Sequence, residues 1–348
     1  MRSIDIPIFT RIQSGAINFI PKVLKENNLT FQRVLVLSDP ITYKVAGLTV
    51  QQQLQKTSTV ESFMVNDNQM STVNLVSNQI KEMNFDGVVA VGGGRVIDVA
   101  KLAAAKSSIS LITVPTSPSH DGIASSMAII MQDSNSQSLV AKIPLGIIVD
   151  LDIIRKSPIK NIRAGICDLL SNLTAVRDWR LAYEEGKDTF DQFSASIALA
   201  SADFLLSLEK IDILSDEFLE RLLDGLILSG TAMTAAGSSK PCSGAEHKIS
   251  HALDALYPGR AMHGEQVGIG MFVSYFLHKL DLASLTKFMK AIGAPTHYKE
   301  LGFTRDEMIN ALVYAPMTRP GRYTILEHSG IDKKKSEEII DQVFQKPL

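Results

Sequence analysis

The chain has few cysteines, no long apolar run and no excess of charge of either sign. Its 348 residues include two cysteines, Cys167 and Cys242, whose spacing fits neither a disulfide framework nor a CxxC zinc or redox motif. No stretch approaches the roughly 18 apolar residues that a membrane helix needs, and residues 1–15 lack the apolar segment of a signal peptide. We therefore expect a cytoplasmic protein without a membrane span.

The balance of charge limits the partners that the protein can have. The 35 Lys and Arg residues nearly cancel the 37 Asp and Glu residues, and no basic block of the kind that binds nucleic acid or anionic membranes is present. Small molecules are the expected ligands. Apolar residues make up 45% of the chain, which is enough for a large core and for some apolar surface, so we also expect a homo-oligomer.

The first 115 residues alternate short apolar runs with helical patterns. The runs at 33–39, 59–65, 86–94 and 110–117 are typical of buried strands, and the segments between them carry apolar residues three and four positions apart. This order predicts an α/β region with a mostly parallel, Rossmann-like sheet flanked by helices. The segments "ASSMAIIM" and "SLVAKIPLGIIVD", separated by the polar "QDSNSQ", predict a hairpin at the edge of that sheet.

From about Ser157 the pattern becomes helical throughout. The length of the chain favours two domains over one very large domain, and we place an α/β domain at 1–157 and an all-helical domain at 158–348. A ligand site is expected to use both. The predicted helices are 158–186, 190–208, 215–237, 243–256, 264–279, 281–292, 304–314 and 333–345.

A glycine turn follows the third predicted strand. In "DGVVAVGGGRVIDVAK", Gly92, Gly93 and Gly94 allow the backbone N–H groups to approach an anion, and the following helix adds the partial positive charge of its N-terminus. The motif is neither a Walker A loop nor a full GxGxxG fingerprint. A phosphate cradle and a simple tight turn are equally good explanations of these glycines taken alone.

Two further features lie at the carboxyl ends of predicted strands. Asp39 could accept hydrogen bonds from a ribose, or it could cap the next helix beside Pro40, and the sequence favours neither. The loop "PTSPSHDGIASS" (115–126) carries serines, a threonine, His120 and Asp121 within a few residues. A long polar loop at this edge of a sheet is more often functional than not.

Three histidines are concentrated in "EHKISHALDALYPGRAMHGEQ". His247 and His251 lie four residues apart on one face of a helix, and His263 follows a helix-breaking "YPGR". Together they indicate a metal or proton-transfer site. A catalytic metal takes about three protein ligands, and the ligand missing from this segment is expected to be a carboxylate. Asp168, which lies among apolar residues, is preferred. Cys167 is not, because adjacent helical residues point about 100° apart.

These motifs, in this order, resemble the archaeal sn-glycerol-1-phosphate dehydrogenases. That family belongs to a superfamily that also contains metal-dependent glycerol dehydrogenases, iron-type alcohol dehydrogenases and dehydroquinate synthases. The resemblance covers nearly the whole chain. The glycine turn would identify only the superfamily, whereas "PTSPSHDGIASS" and "EHKISHALD" differ from the iron-type alcohol dehydrogenases and the dehydroquinate synthases.

The resemblance implies a zinc ion held by Asp168, His247 and His263. It also implies that His251, Asp121 and Asp168 contact the substrate and that NAD(H) or NADP(H) is the cofactor. Cys167 stands where many relatives have a small residue, which leaves the ligand assignment unchanged. The residues predicted to bind the dinucleotide, from the motifs and the resemblance together, are Asp39, Gly92, Gly93, Gly94, Arg95, Val96, Ile97, Asp98, Thr116, Ser117, Pro118, Ser119 and Ser125.

The reaction implied by the resemblance is the reversible reduction of dihydroxyacetone phosphate to sn-glycerol 1-phosphate, for archaeal membrane phospholipid backbones. A zinc-dependent glycerol or polyol dehydrogenase acting on an unphosphorylated substrate is the main alternative. A dehydroquinate-synthase-type lyase and a catalytically silent nucleotide-binding module are weaker ones. Cations for the substrate phosphate are not assigned: surface solvation competes with binding at each positional candidate, namely Lys248, Arg260, Arg319 and Arg322.

Overall fold

A six-stranded sheet forms the centre of the N-terminal half in the computed structural model, which describes residues 4–132 and 135–344. Its strand order is β1-β8-β5-β4-β2-β3, and each neighbouring pair is parallel. The predicted fold class is confirmed. The strands are β1 (Phe9–Gln13), β2 (Arg33–Ser38), β3 (Thr59–Met64), β4 (Gly87–Gly92), β5 (Ser110–Pro115) and β8 (Gly146–Asp150).

The four predicted strands are confirmed as β2 to β5, each one or two residues shorter at its ends, but the predicted burial is wrong for β3, which lies at the sheet edge and contains no buried residue. Every residue of β4 is buried, as an apolar run in the middle of a helix-flanked sheet should be. β1 was not predicted because its sequence, FTRIQ, lies at the sheet edge and contains no buried residue. The helices around the sheet are α1 (Ile20–Glu26), α2 (Pro40–Thr42), α3 (Leu48–Leu54), α4 (Met70–Glu82), α5 (Gly94–Ser107) and α6 (Leu151–Lys156).

The winding of the sheet reverses its direction between two central strands. From β2 the chain continues to β3 on one side, whereas from β4 it continues to β5 on the other. The order therefore reverses between β2 and β4, and open α/β sheets bind ligands outside the strand ends at such a point. Asp39 follows β2, and Gly93 and Gly94 follow β4. Both predicted features thus lie at this reversal point.

The hairpin prediction was right about the pairing and wrong about the place. β6 (Met127–Gln132) pairs with β7 (Asn135–Val140) in an antiparallel sheet of its own, and part of the predicted turn, residues 133–134, lies outside the described residues. The hairpin is held on α5, because Asp98 accepts the Ile129 N–H and Lys101 donates to the Met127 carbonyl. β8, expected in the same hairpin, instead lies between β1 and β5 in the main sheet.

The C-terminal half is helical, as predicted. The segment 158–186 forms two helices and not one, because Ser171, whose hydroxyl donates to the Asp168 carbonyl at 2.6 Å, separates them. No helix in the described part of the chain is both long and apolar enough to cross a bilayer. The helices are α7 (Ile159–Leu170), α8 (Asn172–Glu184), α9 (Gln192–Leu206), α10 (Asp216–Ala236), α11 (Ala245–Leu256), α12 (His263–Leu277), α13 (Leu282–Ala291), α14 (Arg305–Thr318), α15 (Ile325–Ser329) and α16 (Lys333–Phe344).

The two halves share a single large apolar core. Its buried residues include Leu35 and Val88 of the sheet together with Leu226 and Phe272 of the helices. The predicted domain boundary after residue 157 falls between α6 and α7 and stays a prediction. Because the core is continuous, loops at the carboxyl edge of the sheet are packed directly against the helical half.

Candidate metal and substrate site

Three side chains from three helices bring their ligand atoms together in the helical half. Asp168 of α7, His247 of α11 and His263 at the start of α12 each offer one atom, and these atoms all lie within 4.8 Å of one another. Asp168 Oδ1 is 3.4 Å from His247 Nε2 and 4.0 Å from His263 Nε2. Ligands about 2.0–2.1 Å from a tetrahedral ion stand about 3.3 Å apart. The group therefore has the size and the donor atoms of a divalent metal site, and it contains the three residues expected from the sequence.

In His247 and His263, the ring nitrogen that does not face Asp168 is engaged by a neighbour. Nδ1 of His247 lies 3.0 Å from Glu246 Oε1, and Nδ1 of His263 lies 3.0 Å from the Ser250 hydroxyl. Such partners fix the ring and leave Nε2 directed at the metal position. Glu246 is fully buried and is itself held by the Thr174 hydroxyl and the Gly244 N–H.

The charges around His247 affect its protonation. Burial alone would lower the pKa of His247, but its hydrogen bonds to Asp168 and Glu246 and their charges raise that pKa to about 9. The reverse holds for Asp168, where burial would raise the pKa but the bond to His247 keeps it below the ordinary value. A metal bound through Nε2 of His247 would therefore have to displace a proton from that nitrogen.

Asp121 joins the polar loop after β5 to the metal group. Its N–H donates to Asp168 Oδ2 at 2.9 Å, and its own carboxylate accepts the Ser229 hydroxyl at 2.8 Å. Burial, followed by the neighbouring charge of Asp168, raises the pKa of Asp121 to about 7. The loop therefore places a second carboxyl group beside the three ligand residues.

His251 lies next to the ligand histidines without belonging to their group. Its ring centroid is 6.4 Å from that of His247 and 5.8 Å from that of His263. Burial, followed by the positive charge of Arg319, lowers the pKa of His251 well below its ordinary value. Its partly buried ring stands at the edge of the group, which suits contact with a ligand and not with the ion.

Cys167 points away from the ligand atoms, as expected from its position beside Asp168. Its sulfur lies 4.0 Å from the sulfur of Met289, and burial raises the pKa of the thiol far above its ordinary value. A buried, protonated thiol is a poor metal ligand. Asp168 is therefore the residue of this pair that belongs to the site.

The polar loop reaches the helical half because α7 has no side chain at Gly165. A Cβ at this position would lie 1.7 Å from the Pro118 carbonyl oxygen. Thr116 and Ser117 are buried within the same loop, and the Thr116 N–H donates to the Gly92 carbonyl at 3.1 Å. Close packing at Gly165 thus connects the glycine turn to the helix that carries Asp168.

The glycine turn leads into the first turn of α5, which no side chain of its N-cap residue caps, and the ring of His120 packs against it. Gly93 is the N-cap of α5 in extended conformation and has no side-chain capping bond. A Cβ at Gly94 would lie 2.0 Å from His120 Nε2, whose other ring nitrogen, Nδ1, accepts the Gly122 N–H. In the neutral ring, Nε2 therefore carries the proton and faces the turn, which suits an anion.

The predicted dinucleotide residues differ in what their side chains can still contact. Arg95 is exposed and donates to the Asn66 carbonyl. Val96 and Ile97 are fully buried, so only their backbone could approach a ligand, and the Ile97 N–H already donates to Gly93. The Asp98 carboxylate is engaged by Lys101 and the Ile129 N–H.

Two other residues on that list have structural partners. The hydroxyl of Ser125 lies 3.5 Å from Lys101 Nζ and donates to the Met127 carbonyl at 3.4 Å. Asp39 caps α2, since its Oδ1 accepts the N–H groups of Ile41 and Thr42, both at 2.8 Å. The capping explanation of Asp39 is confirmed, and its contact with a ribose stays a prediction.

Comparison with known proteins gives the family of the chain. It is 41% identical over 305 residues to the glycerol-1-phosphate dehydrogenase [NAD(P)+] of Pyrococcus horikoshii, covering 87% of this chain and 88% of the relative. It is 35% identical over 347 residues to that of Archaeoglobus fulgidus, covering 98% of both chains. The chain belongs to the glycerol-1-phosphate dehydrogenase family. Residues 11–158 also match the family described as iron-containing alcohol dehydrogenase.

Solved structures of proteins with other names share the fold of this chain. The glycerol dehydrogenase of Schizosaccharomyces pombe superposes with a TM-score of 0.82 at 21% identity, covering 99% of this chain and 91% of that one. Maleylacetate reductase of Agrobacterium tumefaciens gives a TM-score of 0.75 at 15% identity, covering 99% and 98%. At such identities the likeness concerns the fold alone. It shows that an α/β half joined to a helical half is common to these structures.

The positional candidates for a phosphate site are not equivalent. Lys248 is buried, and its Nζ is bound to Glu327 Oε1 at 2.5 Å and to the Arg322 carbonyl at 2.8 Å. Surface solvation is therefore wrong as an explanation of Lys248. Arg260 is exposed and ion-paired with Glu307 at 2.7 Å. Arg319 and Arg322 are partly buried.

Proposed function

We propose that this protein catalyses the zinc-assisted, NAD(P)H-dependent reversible reduction of dihydroxyacetone phosphate to sn-glycerol 1-phosphate, which supplies the backbone of archaeal membrane phospholipids. The observation that carries the proposal is the convergence of Asp168, His247 and His263 beside Asp121, in a chain of the glycerol-1-phosphate dehydrogenase family. The names of its relatives support the substrate and the nicotinamide cofactor.

The donor set fits zinc. One carboxylate oxygen and two imidazole nitrogens, each ring fixed through its second nitrogen, are typical of a catalytic zinc site with an open position. Bound there, zinc would supply Lewis-acid polarisation of the ketone oxygen. Glu246 and Ser250 would keep both rings oriented as substrate enters and product leaves.

The polar residues around the metal group orient the substrate and supply the proton that the reduction requires. Asp121, held by Ser229 and by the bond from its N–H to Asp168, accepts a hydrogen bond from a substrate hydroxyl. His251, or a water that it orients, supplies the proton to the product oxygen. General acid catalysis of this kind contributes about 10²- to 10⁴-fold in rate.

The glycine turn and the polar loop hold the cofactor. The N–H groups in the first turn of α5 bind the pyrophosphate, with the N-terminal partial charge of the helix supporting it. The loop 116–119 then positions the nicotinamide between the sheet edge and α7. Fixing the dinucleotide in this way presents its hydride to one face of the carbonyl, and that face sets the handedness of the product.

The reaction is tested by following NADH and NADPH absorbance with purified protein and dihydroxyacetone phosphate. We expect oxidation that stops after chelation and returns when zinc is restored. If fresh zinc gives no oxidation of either cofactor with this substrate but glycerol or dihydroxyacetone is turned over, the polyol alternative is correct. If none of these substrates reacts and no zinc is retained, a silent nucleotide-binding module is the better description.

A pair of histidine variants separates metal binding from proton transfer. His247→Ala removes a ligand and should lose the metal, as measured by elemental analysis. His251→Ala should retain stoichiometric metal and lower kcat by about 10²- to 10⁴-fold. Stoichiometric zinc in His247→Ala would contradict the ligand assignment, and full activity of His251→Ala would remove His251 from the mechanism.

A further inference from the structure

Two arginines meet two serines next to the metal group. Arg319 Nη1 donates to the hydroxyls of Ser239 and Ser243, both at 3.2 Å. Arg322 Nη2 donates to the same Ser239 hydroxyl at 3.2 Å, and its Nη1 donates to the Ser243 carbonyl at 2.5 Å. The two guanidinium groups therefore converge on the segment that leads from α10 into α11. We call these four residues the arginine–serine cluster.

Arg319 carries its positive charge without a carboxylate beside it. Over residues 4–132 and 135–344, the Arg319 and Arg322 guanidinium groups donate to hydroxyls and one carbonyl, and neither forms an ion pair. The charges of Glu246, Asp188 and Asp178 act on Arg322, whereas the charge that acts on Arg319 is that of Arg322. Burial, followed by the nearby charge of Arg322, lowers the pKa of Arg319 to about 10. Partly buried cations that repel each other cost free energy unless an anion balances them.

Other basic side chains near the site already have acidic partners. Lys248 is paired with Glu327, and Arg260 is paired with Glu307 while lying over the ring of Tyr257. Arg319 of the arginine–serine cluster thus differs from these basic side chains in lacking a carboxylate partner. An external anion would complete it.

The cluster faces the helix that carries the candidate metal ligand and proton donor. Arg319 follows the last residue of α14, Thr318, whose hydroxyl donates to the Lys248 carbonyl of α11 at 3.4 Å. Arg319 is also the strongest single charge acting on His251. An anion bound by Arg319 would therefore lie on the His251 side of the metal group.

We propose that the arginine–serine cluster binds the phosphate of the substrate and so selects a phosphorylated triose over a free polyol. Guanidinium forks match the oxygens of a phosphate bidentately, and the serine hydroxyls can turn their protons towards the anion while accepting from the arginines. This proposal rests on the proposed function, because it assigns the phosphate end of the same substrate to the arginine–serine cluster. Asp168, His247 and His263 act on the ketone end and do not distinguish the two substrates.

The experiment compares kcat/KM for dihydroxyacetone phosphate and for dihydroxyacetone in Arg319→Gln and in Arg260→Gln as the matched control. For Arg319→Gln we expect a loss of about 100-fold with the phosphorylated substrate, because a charge-assisted hydrogen-bond pair is removed, and little change with dihydroxyacetone. Arg260→Gln should change neither. Equal losses on both substrates in Arg319→Gln would overturn the proposal.

Two further measurements keep this result independent of folding and of the reaction. Arg319→Lys retains the charge but not the fork, and it should show a smaller loss, again confined to the phosphorylated substrate. Inorganic phosphate should bind the wild-type protein, measured by calorimetry, and bind Arg319→Gln at least tenfold more weakly. Unchanged phosphate binding would overturn the cluster as an anion site. Phosphate binding at the cluster without any turnover of dihydroxyacetone phosphate would contradict the proposed function and leave the anion site standing.

Discussion

At the scale of single residues, the orientation of His247 depends on a carboxylate that is not a ligand. Glu246 is fully buried and lies 3.0 Å from His247 Nδ1. It thereby fixes which ring nitrogen faces Asp168 and increases the basicity of the ring. The same residue connects the metal group to α8 through the Thr174 hydroxyl at 2.8 Å.

Glu246→Gln should weaken metal binding while leaving the fold intact. The amide can keep one hydrogen bond to His247 but loses the negative charge, and partners of this kind are worth about 10- to 100-fold in metal affinity. Competition with a chromogenic chelator measures the change. Glu265→Gln, on the first turn of α12 and outside the metal group, serves as the control. Equal affinity of Glu246→Gln and wild type would show that Glu246 has no part in the site.

The residues that the sequence identified at this scale are those whose chemistry shows in their spacing. His247, His251 and His263 were visible because histidine is uncommon and the first two share a helical face. Glu246 and Ser250 were not singled out, since a glutamate and a serine on a helix are ordinary unless their neighbours are known to be ligands. The sequence could not select Arg319 among the four basic candidates for the phosphate site, because the pairing of Lys248 and Arg260 with acids is seen only in the structure.

At the scale of elements, the approach of the polar loop to α7 determines how the sheet edge meets the helices. The Pro118 carbonyl occupies the space that a side chain at Gly165 would fill. Because the contact is with backbone, no rotamer change can relieve a larger residue. The loop also carries Asp121, which is bonded to Asp168.

Gly165→Ala should therefore destabilise the protein, although alanine favours helix formation. Overpacking of this kind costs about 1–3 kcal/mol, more than the gain of about 1 kcal/mol from helix propensity. We expect a lower melting temperature and weaker dinucleotide binding, measured by calorimetry and fluorescence titration. Gly321→Ala is the control for stability, since nothing lies within 4 Å of its added Cβ. A variant of Gly165 as stable as wild type would mean that the loop moves away without cost.

Elements were predictable where a local pattern decides them. Four sheet strands were recognised as apolar runs, and the helical half followed from its three- and four-residue periodicity. The break at Ser171 was missed because apolar periodicity continues through it, and the break depends on a hydroxyl-to-carbonyl bond. β8 was wrongly assigned to the hairpin because its pairing with β1 and β5 is a long-range contact that the local sequence does not show. The position of the hairpin was missed for the same reason, since it is held by Asp98 and Lys101 of α5.

At the scale of the whole molecule, the two halves should unfold together. One apolar core includes Leu35 of the sheet and Phe272 of the helical half, so neither half can keep its buried surface when the other opens. The one tryptophan, Trp179, lies in α8 and reports only on the helical half. We expect its fluorescence transition to coincide with the single calorimetric transition. A fluorescence midpoint that differs from the calorimetric one would show that the halves are independent.

The origin of the three candidate metal ligands in three separate helices has a consequence for the stability of the protein. A metal on Asp168, His247 and His263 would fasten α7, α11 and α12 to one another, much as a reversible cross-link does. By mass action, free metal at 100 times its dissociation constant adds about 2.7 kcal/mol to the free energy of unfolding. The melting temperature would then rise with the concentration of free metal. The stability of the three helices would thus depend on how much of the ion is available.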